Sequence, residues 1–387
     1  MIVGVLKEPI SGEKRVAATP ESVKQLTAAG LKVAVQKGAG ALAGYTDDDY
    51  KAAGATIQPT VNVASVDVLA HVRPLAPAVI KKLKKGTITI GLMSPASEGA
   101  AVKALAAQKV TSFALELVPR ISRAQSMDAL TSQALVAGYR CVLEATMRLP
   151  RFFPLYMTAA GTVPPATVLV LGAGVAGLQA IATAKRLGAK VMAYDVRSAS
   201  ADEVRSMGGT FIELDLDVAA DGAGGYAKEL AADRVKRQQE LLTPYVTGAD
   251  VIITTAAIPG RPAPRLITST MMKNMKPGSV IIDLAAETGG NVEGSKPGVD
   301  VSVAVGKAGG SITLVGMKDV PSTMPYDASR LYAKNIANLL ELMTKDKKVQ
   351  PDFADEVVAG ALLTHDGEIR HQPTAEALSA GTKKGAK

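Results

Sequence analysis

The sequence predicts an α/β fold of two doubly wound domains with parallel sheets, separated by a cleft. Three observations predict it. Short runs of Val, Ile, Leu and Thr alternate with helical stretches along nearly all 387 residues, which is the pattern of strands buried on both faces of a parallel sheet. At about 150 residues per domain, that length accommodates two or three domains. The alternation also occurs twice, on either side of one long helical stretch, 122–148, that meets Pro150, Pro154, Pro164 and Pro165.

The first series opens with Ile2-Val3-Gly4-Val5-Leu6, a short buried strand. A helix follows, which Thr19 can cap, Pro20 can begin and Gly30 can end. Strands are expected at 31–36, 66–72, 87–92 and 110–114. The stretch 122–148 contains one glycine, Gly138, and no proline, so it reads as one long connecting helix whose start need not be α-helical. The second series runs through strands at 167–171, 190–194, 210–212, 251–255, 279–283 and 312–315. A last helix, 328–344, has no strand of its own nearby and is expected to return to the first domain. Residues 1–130 with 315–387 then form one discontinuous domain, and 131–314 the other. Residues 222–225 and the last dozen are expected to be mobile.

Composition narrows the function. Aromatic residues are only 4% and Trp is absent, which argues against grip on nucleic acid by base stacking. The one cysteine excludes an internal disulfide framework and multi-cysteine metal centres. Three histidines, His71, His365 and His371, leave little for a metal site, so no metal is expected. No stretch approaches the roughly 18–20 apolar residues of a membrane span. The opening MIVGVLKEPISGEKR is not expected to act as a signal peptide, its apolar run being too short. A cytoplasmic chain without direct membrane insertion follows. The net charge of +8 reads as a solvated basic surface, or as contact with an acidic partner or anionic substrate.

The strongest motif is Gly172-Ala173-Gly174-Val175-Ala176-Gly177, set between the apolar run 167–171 and a helical stretch ending at Gly188. The next strand ends at Tyr194-Asp195, 23 residues beyond Gly172. This is the context of a dinucleotide fingerprint, and it makes both domains Rossmann-like in expectation. Gly172 permits the tight turn, Gly174 lets the pyrophosphate approach the backbone, and Gly177 lets helix and strand pack closely. The helix amino terminus supplies free N–H groups to the phosphates. Asp195 can accept both adenosine ribose hydroxyls and favours NAD over NADP, while Arg197 is the residue type an NADP site uses.

With these residues in view, the chain resembles the NAD(H)-binding component of proton-translocating nicotinamide nucleotide transhydrogenase. The likeness rests on Gly161-Thr-Val-Pro-Pro, the fingerprint segment 172–189, Tyr194-Asp-Val196-Arg197 and Gly224-Gly225-Tyr226-Ala-Lys-Glu. It continues in Ile252-Ile-Thr-Thr-Ala256, the segment 259–264, the segment 275–283, and most specifically Val118-Pro-Arg120-Ile-Ser-Arg-Ala-Gln125-Ser-Met-Asp128. The resemblance implies direct hydride transfer from NADH on this chain to NADP+ on an NADP(H)-binding partner. A membrane-spanning component would couple that transfer to proton translocation at the cytoplasmic face of the membrane. It implies a homodimer, with contacts mostly from the second domain. It further implies that Arg120 orients the nicotinamide carboxamide, Gln125 reaches toward the partner's nucleotide, and Asp128 and Thr131 line the nicotinamide site. Tyr226 would belong to a mobile loop closing over NAD(H), and Ala256, Ala257 and Ile258 would give backbone contacts to the cofactor.

Alanine dehydrogenase is a related alternative. Of the four residues its chemistry uses, Arg15 matches the arginine. By the same resemblance His71 stands for the lysine, Gly91 for the histidine and Glu287 for the aspartate. Loss of an acid–base residue costs about 10²–10⁴ in rate, so little amino-acid dehydrogenase activity is expected. A non-enzymatic NAD-sensing module is the third reading. The 118–128 stretch, which serves the reactive end of the cofactor, argues against it.

Overall fold

The computed structural model describes residues 1–215, 232–258, 261–306 and 309–384. They fall into two compact units, Met1–Gln133 with Pro321–Lys387, and Ala134–Val320. Where the sequence reading ends the second domain at Leu314, the strand Ser311–Gly316 runs straight through that point.

The first unit is built on an eight-stranded sheet. In spatial order its strands are Thr56–Gln58, Lys32–Gln36, Ile2–Val5, Val68–Ala70, Ile88–Gly91, Thr111–Ala114, Leu362–His365 and Glu368–Ile369. The first six are parallel to one another, Leu362–His365 runs antiparallel to Thr111–Ala114, and Glu368–Ile369 antiparallel to Leu362–His365. Chain order reverses between Ile2–Val5 and Val68–Ala70, so loops leaving these two strands diverge at their carboxyl ends. Val3, Val5, Val33 and Val35 are at most 2% exposed, as β-branched residues in a two-sided core should be. The helix Pro20–Ala28 begins with a capping box between Thr19 and Ser22, has Pro20 in its first turn, and gives way to Gly30 at φ +85°. Against it packs Pro325–Leu342, whose inner face carries Tyr332, Ile336, Leu339 and Leu340, all at most 1% exposed. Burying each such side chain contributes about 1.5–3 kcal/mol.

The second unit holds a seven-stranded sheet in the order Thr210–Phe211, Lys190–Tyr194, Thr167–Leu171, Val251–Thr254, Val280–Asp283, Ser311–Gly316, Asp300–Ala304. All strands are parallel except the last, which runs antiparallel to its neighbour. Alternate side chains face opposite layers. Val168, Val170, Val251 and Ile253 pack beneath Ala180, Ile181, Cys141 and Val142 of two helices. Leu169, Leu171 and Ile252 pack against Leu242 and Val246 of the helix Ala232–Gly248 on the other side. The strand order reverses between Thr167–Leu171 and Val251–Thr254, and the fingerprint turn leaves the first of these.

As expected of a stretch whose start need not be α-helical, 122–148 opens with a 3-10 turn, Ser122–Met127, before the α-helix Ala129–Arg148. Other elements depart from expectation. Asp300–Ala304 is an edge strand with three of its five residues exposed, so it lacks the continuous apolar run of its buried neighbours. Leu362–His365 and Glu368–Ile369 extend the first sheet through a turn at Asp366 and Gly367. Gln372–Lys384 is helical where a frayed tail is expected. Among the described residues no helix is long and apolar enough to cross a membrane.

Candidate functional site

In the second unit the fingerprint closes as the glycines require. Gly172 sits at φ +102°, and a β-carbon there would lie 2.6 Å from Thr255 Oγ1. A β-carbon on Gly177 would come within 2.8 Å of the Gly172 carbonyl carbon and nearer still to its oxygen. Among the described residues, a β-carbon at Gly174 would meet nothing within 4 Å. The backbone there faces open space at the amino end of Val175–Arg186, a helix with no side-chain cap. Uncapped N–H groups at a positive dipole end form a ready site for a phosphate. Val175 and Ala176 open this helix, and the Thr255 hydroxyl holds the turn from below by donating to the Gly172 carbonyl at 3.0 Å.

Asp195 stands at the end of the neighbouring strand with its side chain 8% exposed. Its Oδ2 accepts from the Ala173 amide at 2.7 Å and from Arg197 Nη2 at 3.1 Å. Its Oδ1 accepts from the Arg197 amide at 2.9 Å and Arg197 Nε at 3.0 Å. Arg197 is thus folded back on the carboxylate as an ion pair. Val196, between them, is half-buried against the core.

The segment Ala256, Ala257 and Ile258 leaves the strand Val251–Thr254 on the same edge. Asn291, fully buried, holds it by donating from Nδ2 to the carbonyls of Ala256 at 2.9 Å and Pro264 at 2.8 Å. Asp283 organises the adjoining turn, accepting from Thr254 Oγ1 at 3.0 Å and the Ala285 amide at 3.0 Å. Sequence reasoning missed Thr255, Asn291 and Asp283 as site supports. Asp283 is conspicuous as a polar residue ending an apolar strand, whereas Asn291 carries no local signal. Gly225 and Tyr226 lie outside the described residues. Gly138, on the helix Ala129–Arg148, touches the fingerprint helix. A β-carbon on it would fall 2.9 Å from both the α- and carbonyl carbons of Ala176 and closer to its oxygen.

The first unit carries Arg120, Gln125, Asp128 and Thr131. Arg120 and Gln125 are exposed, Asp128 and Thr131 half-buried. Asp128 caps the helix Ala129–Arg148, accepting from the Thr131 amide at 2.9 Å and Thr131 Oγ1 at 2.6 Å. The 3-10 turn bearing Gln125 is anchored. Asn335 and Asn338 both donate to the Ser126 carbonyl, at 2.9 and 3.0 Å. Arg123 forks onto Asp355 at 2.7 and 3.1 Å.

The same unit has a polar cluster at its strand reversal. Arg15 donates from Nε and Nη2 to Glu13 at 2.8 and 2.7 Å, and from Nη1 to Gln133 at 2.8 Å. Arg73 Nε adds a bond to Glu13 at 2.7 Å. Desolvation opposes ionisation of Glu13, but the Arg15 guanidinium outweighs it and, with Arg73, holds the carboxyl at about 2. Glu8 is the opposite case: burial pushes it up to about 7, against the Val72 and Arg73 amides that stabilise its charge. His71, which by resemblance stands for the lysine of alanine dehydrogenase, lies inside the first unit. It is 1% exposed, burial lowers it to about 4, and its Nδ1 donates to the Arg73 carbonyl at 2.8 Å. The basic side chain that reaches the cluster is Arg73. Gly91 and His71 form one unit of packing, since a β-carbon on Gly91 would lie 2.6 Å from His71 Cε1. Glu287 sits exposed in a 3-10 turn of the second unit, accepting from the Asp319 amide at 3.0 Å. Among the described residues no group of His, Cys, Asp or Glu could hold a metal ion.

Comparison with known proteins places both units in one family. The alanine dehydrogenase/PNT C-terminal domain matches residues 141–372, and the N-terminal domain of the same family matches 4–137. The chain is 48% identical over 382 residues to an NAD(P) transhydrogenase subunit alpha polypeptide of Rhodospirillum rubrum, covering 96% of this chain and 98% of that one. Alanine dehydrogenase 1 of Staphylococcus aureus is 29% identical over 384 residues, covering 96% of this chain and 95% of that one. The solved transhydrogenase of Sinorhizobium meliloti superposes with a TM-score of 0.83 at 41% identity, covering 96% of this chain and all of that one. Matched in both domains and closer to transhydrogenase alpha subunits than to the dehydrogenase, the chain belongs to the alanine dehydrogenase/PNT family, on its NAD(P) transhydrogenase side.

Proposed function

We propose that this chain is the NAD(H)-binding component of a proton-translocating NAD(P) transhydrogenase. The observation that carries the nucleotide assignment is the uncapped amino end of the helix Val175–Arg186, with open space over Gly174 and Asp195 one strand away. These residues fit a dinucleotide: N–H groups for the pyrophosphate, a carboxylate for the adenosine ribose, and the backbone of Ala256, Ala257 and Ile258 along the cofactor. The relatives support the choice of transhydrogenase.

When bound, NADH supplies a hydride from its nicotinamide ring. The chain's own residues bind and orient. Arg120 holds the carboxamide. Asp128 and Thr131, locked together by two hydrogen bonds, present a fixed edge to the ring. Gln125, on its anchored turn, reaches toward the nucleotide of the NADP(H)-binding partner. No proton accompanies the hydride, so rate comes from placing two rings in contact, and no general base is required.

Amino-acid dehydrogenase chemistry is disfavoured because the Arg15 guanidinium is engaged by Glu13 and Gln133 and His71 is buried and neutral. A second copy of the chain is the proposed partner at the hairpin Tyr156–Thr158 and Gly161–Val163, a separate two-stranded ribbon. There Met157 is 78% exposed, Leu155 and Tyr156 are exposed next to it in the chain, and the exposed Phe152 ring meets Tyr156 edge-on at 4.9 Å. Such clustered apolar exposure marks an interface, and light scattering should return twice the chain mass. The assembly docks on the cytoplasmic face of the membrane through its membrane-spanning partner.

The test is hydride transfer from NADPH to an NAD analogue, with and without an NADP(H)-binding transhydrogenase component. Activity that needs both proteins supports the proposal. Demonstrated NADH binding without transfer, partner present, overturns it.

A further inference from the structure

Asn291 is fully buried in the second unit, where it ties together stretches distant in the chain. Its own amide donates to Asp283 Oδ1 at 3.3 Å. Its carbonyl accepts from the Leu266 and Ile267 amides at 2.8 and 3.0 Å. The side-chain amide reaches further, giving its N–H groups to the carbonyls of Ala256 and Pro264 at 2.9 and 2.8 Å. These partners fix its orientation, since the reverse would aim Oδ1 at two carbonyl oxygens. Oδ1 is then left buried, with no hydrogen-bond partner among the described residues. An unsatisfied buried acceptor opposes stability, so its retention calls for another reason. Asn is the short neutral side chain that offers two donors from one nitrogen. Ser and Thr offer one, an ionised Asp none, and Gln is a methylene longer.

We propose that Asn291 is a positioning residue for the nicotinamide nucleotide: its side-chain amide sets the path of the backbone, Ala256 to Ile258, that runs along the cofactor. The inference rests on the reading of this unit as the nucleotide site. Ala256 is the first link. A β-carbon on Gly172 would lie 3.0 Å from the Ala256 amide, so this backbone leaves its strand against the fingerprint turn, and a shift of Ala256 changes the space beside the glycines. Pro264 is the second link, and a second gripped carbonyl stops the segment from pivoting about the first. The base of this clamp is rigid. Asp283 ends a central strand, and Gly290, at φ +77°, passes so close that a β-carbon on it would lie 2.8 Å from Asp283 Oδ2. The exposed Arg265 grips the same turn from outside, donating to the carbonyls of Val292 and, at 3.2 Å, Gly289. Arg265 thus holds the turn, whereas Asn291 reaches from the turn to the residue beside the cofactor.

The experiment compares the full wild-type chain with Asn291→Ala, Asn291→Asp and Arg265→Ala by thermal melting, by NADH titration, and by single-turnover transfer with the NADP(H)-binding component. Asn291→Ala should lower NADH affinity by about tenfold, the scale of one hydrogen bond lost, and slow transfer at saturating NADH by about tenfold or more, because small misplacements of reacting groups are costly. Arg265→Ala should lower the melting temperature yet leave NADH affinity within about twofold, as surface substitutions do. Asn291→Asp keeps the shape of the side chain. Its carboxyl can donate while protonated and only accepts once ionised, so its NADH affinity relative to wild type should fall by about tenfold as pH rises and that donor is lost. A merely structural role would move melting without producing this pH profile of affinity. If Asn291→Ala does not fold, the profile of Asn291→Asp decides. An Asn291→Ala chain that folds and matches wild type in NADH affinity and transfer overturns the inference. So does an affinity loss in Arg265→Ala equal to that in Asn291→Ala, or an Asn291→Asp affinity that follows wild type at every pH. A wild-type chain that binds no NADH overturns the nucleotide reading, and this inference with it.

Discussion

Replacing Gly138 by Ala tests how the nucleotide site is held. The helix Ala129–Arg148 crosses the first turn of the fingerprint helix at this residue. The new β-carbon would lie 2.9 Å from two Ala176 backbone carbons, where carbon atoms prefer about 3.5–4.0 Å. Backbone cannot swing aside as a side chain can, so one helix must retreat by roughly 1 Å. Overpacking of this kind costs about 1–3 kcal/mol. Ala is a better helix former than Gly by about 1 kcal/mol, which offsets part of the cost. The net is about 0–2 kcal/mol of destabilisation, or a melting temperature up to about 8 °C lower for a unit of this size. The retreat also moves the N–H groups of Val175 and Ala176, so NADH affinity should fall by about tenfold, comparable to what a well-placed helix terminus contributes to an anion. Thermal melting and NADH titration on the same preparation read both effects. A variant that melts at or above the wild type and binds NADH unchanged refutes the reasoning.

Three further outcomes are expected. Glu13→Gln leaves the buried Arg15 and the half-buried Arg73 against a neutral partner and should cost about 3–5 kcal/mol, read by denaturant titration at pH 7. Because Glu13 is held near 2 against an ordinary value of 4.5, its ionic contribution of about 3 kcal/mol is present above pH 4.5 and lost as pH falls toward 2. The wild-type advantage over Glu13→Gln should shrink across that window. Glu8 has the opposite sign. Its value of about 7 means stability is lost as pH rises from 4.5 through 7, so Glu8→Gln should melt higher than wild type at pH 8 and not at pH 4.5. Arg120→Ala and Gln125→Ala should each lower the transfer rate by about tenfold or more through loss of orientation while NADH affinity changes less, measured by single-turnover kinetics with the partner component.

The nucleotide site is largely legible in the sequence because its signals are local. Gly172, Gly174 and Gly177 announce a backbone path, and Thr19 announces a helix start within three residues of its partner Ser22. What the chain hides depends on distant residues. Asn291 supports Ala256 from 35 positions away, and no pattern around it says so. Arg73 and His71 are two residues apart on a segment leaving a strand, and only packing decides which faces the polar cluster. The edge strands Asp300–Ala304 and Glu368–Ile369 lack the double burial that makes inner strands conspicuous. Asp195 is legible as the ribose acceptor from its place at a strand end, but its capture by Arg197 and Ala173 requires the folded turn.

The central claim is that hydride passes directly between two nicotinamide rings, one of them held by this chain. It is tested by supplying stereospecifically deuterated NADPH, the partner component, this chain and an NAD analogue in ordinary water, and measuring label in the reduced analogue by mass spectrometry. The account predicts complete retention of deuterium and no transfer when either protein is omitted. Loss of label to solvent, or transfer by the partner alone, would contradict it.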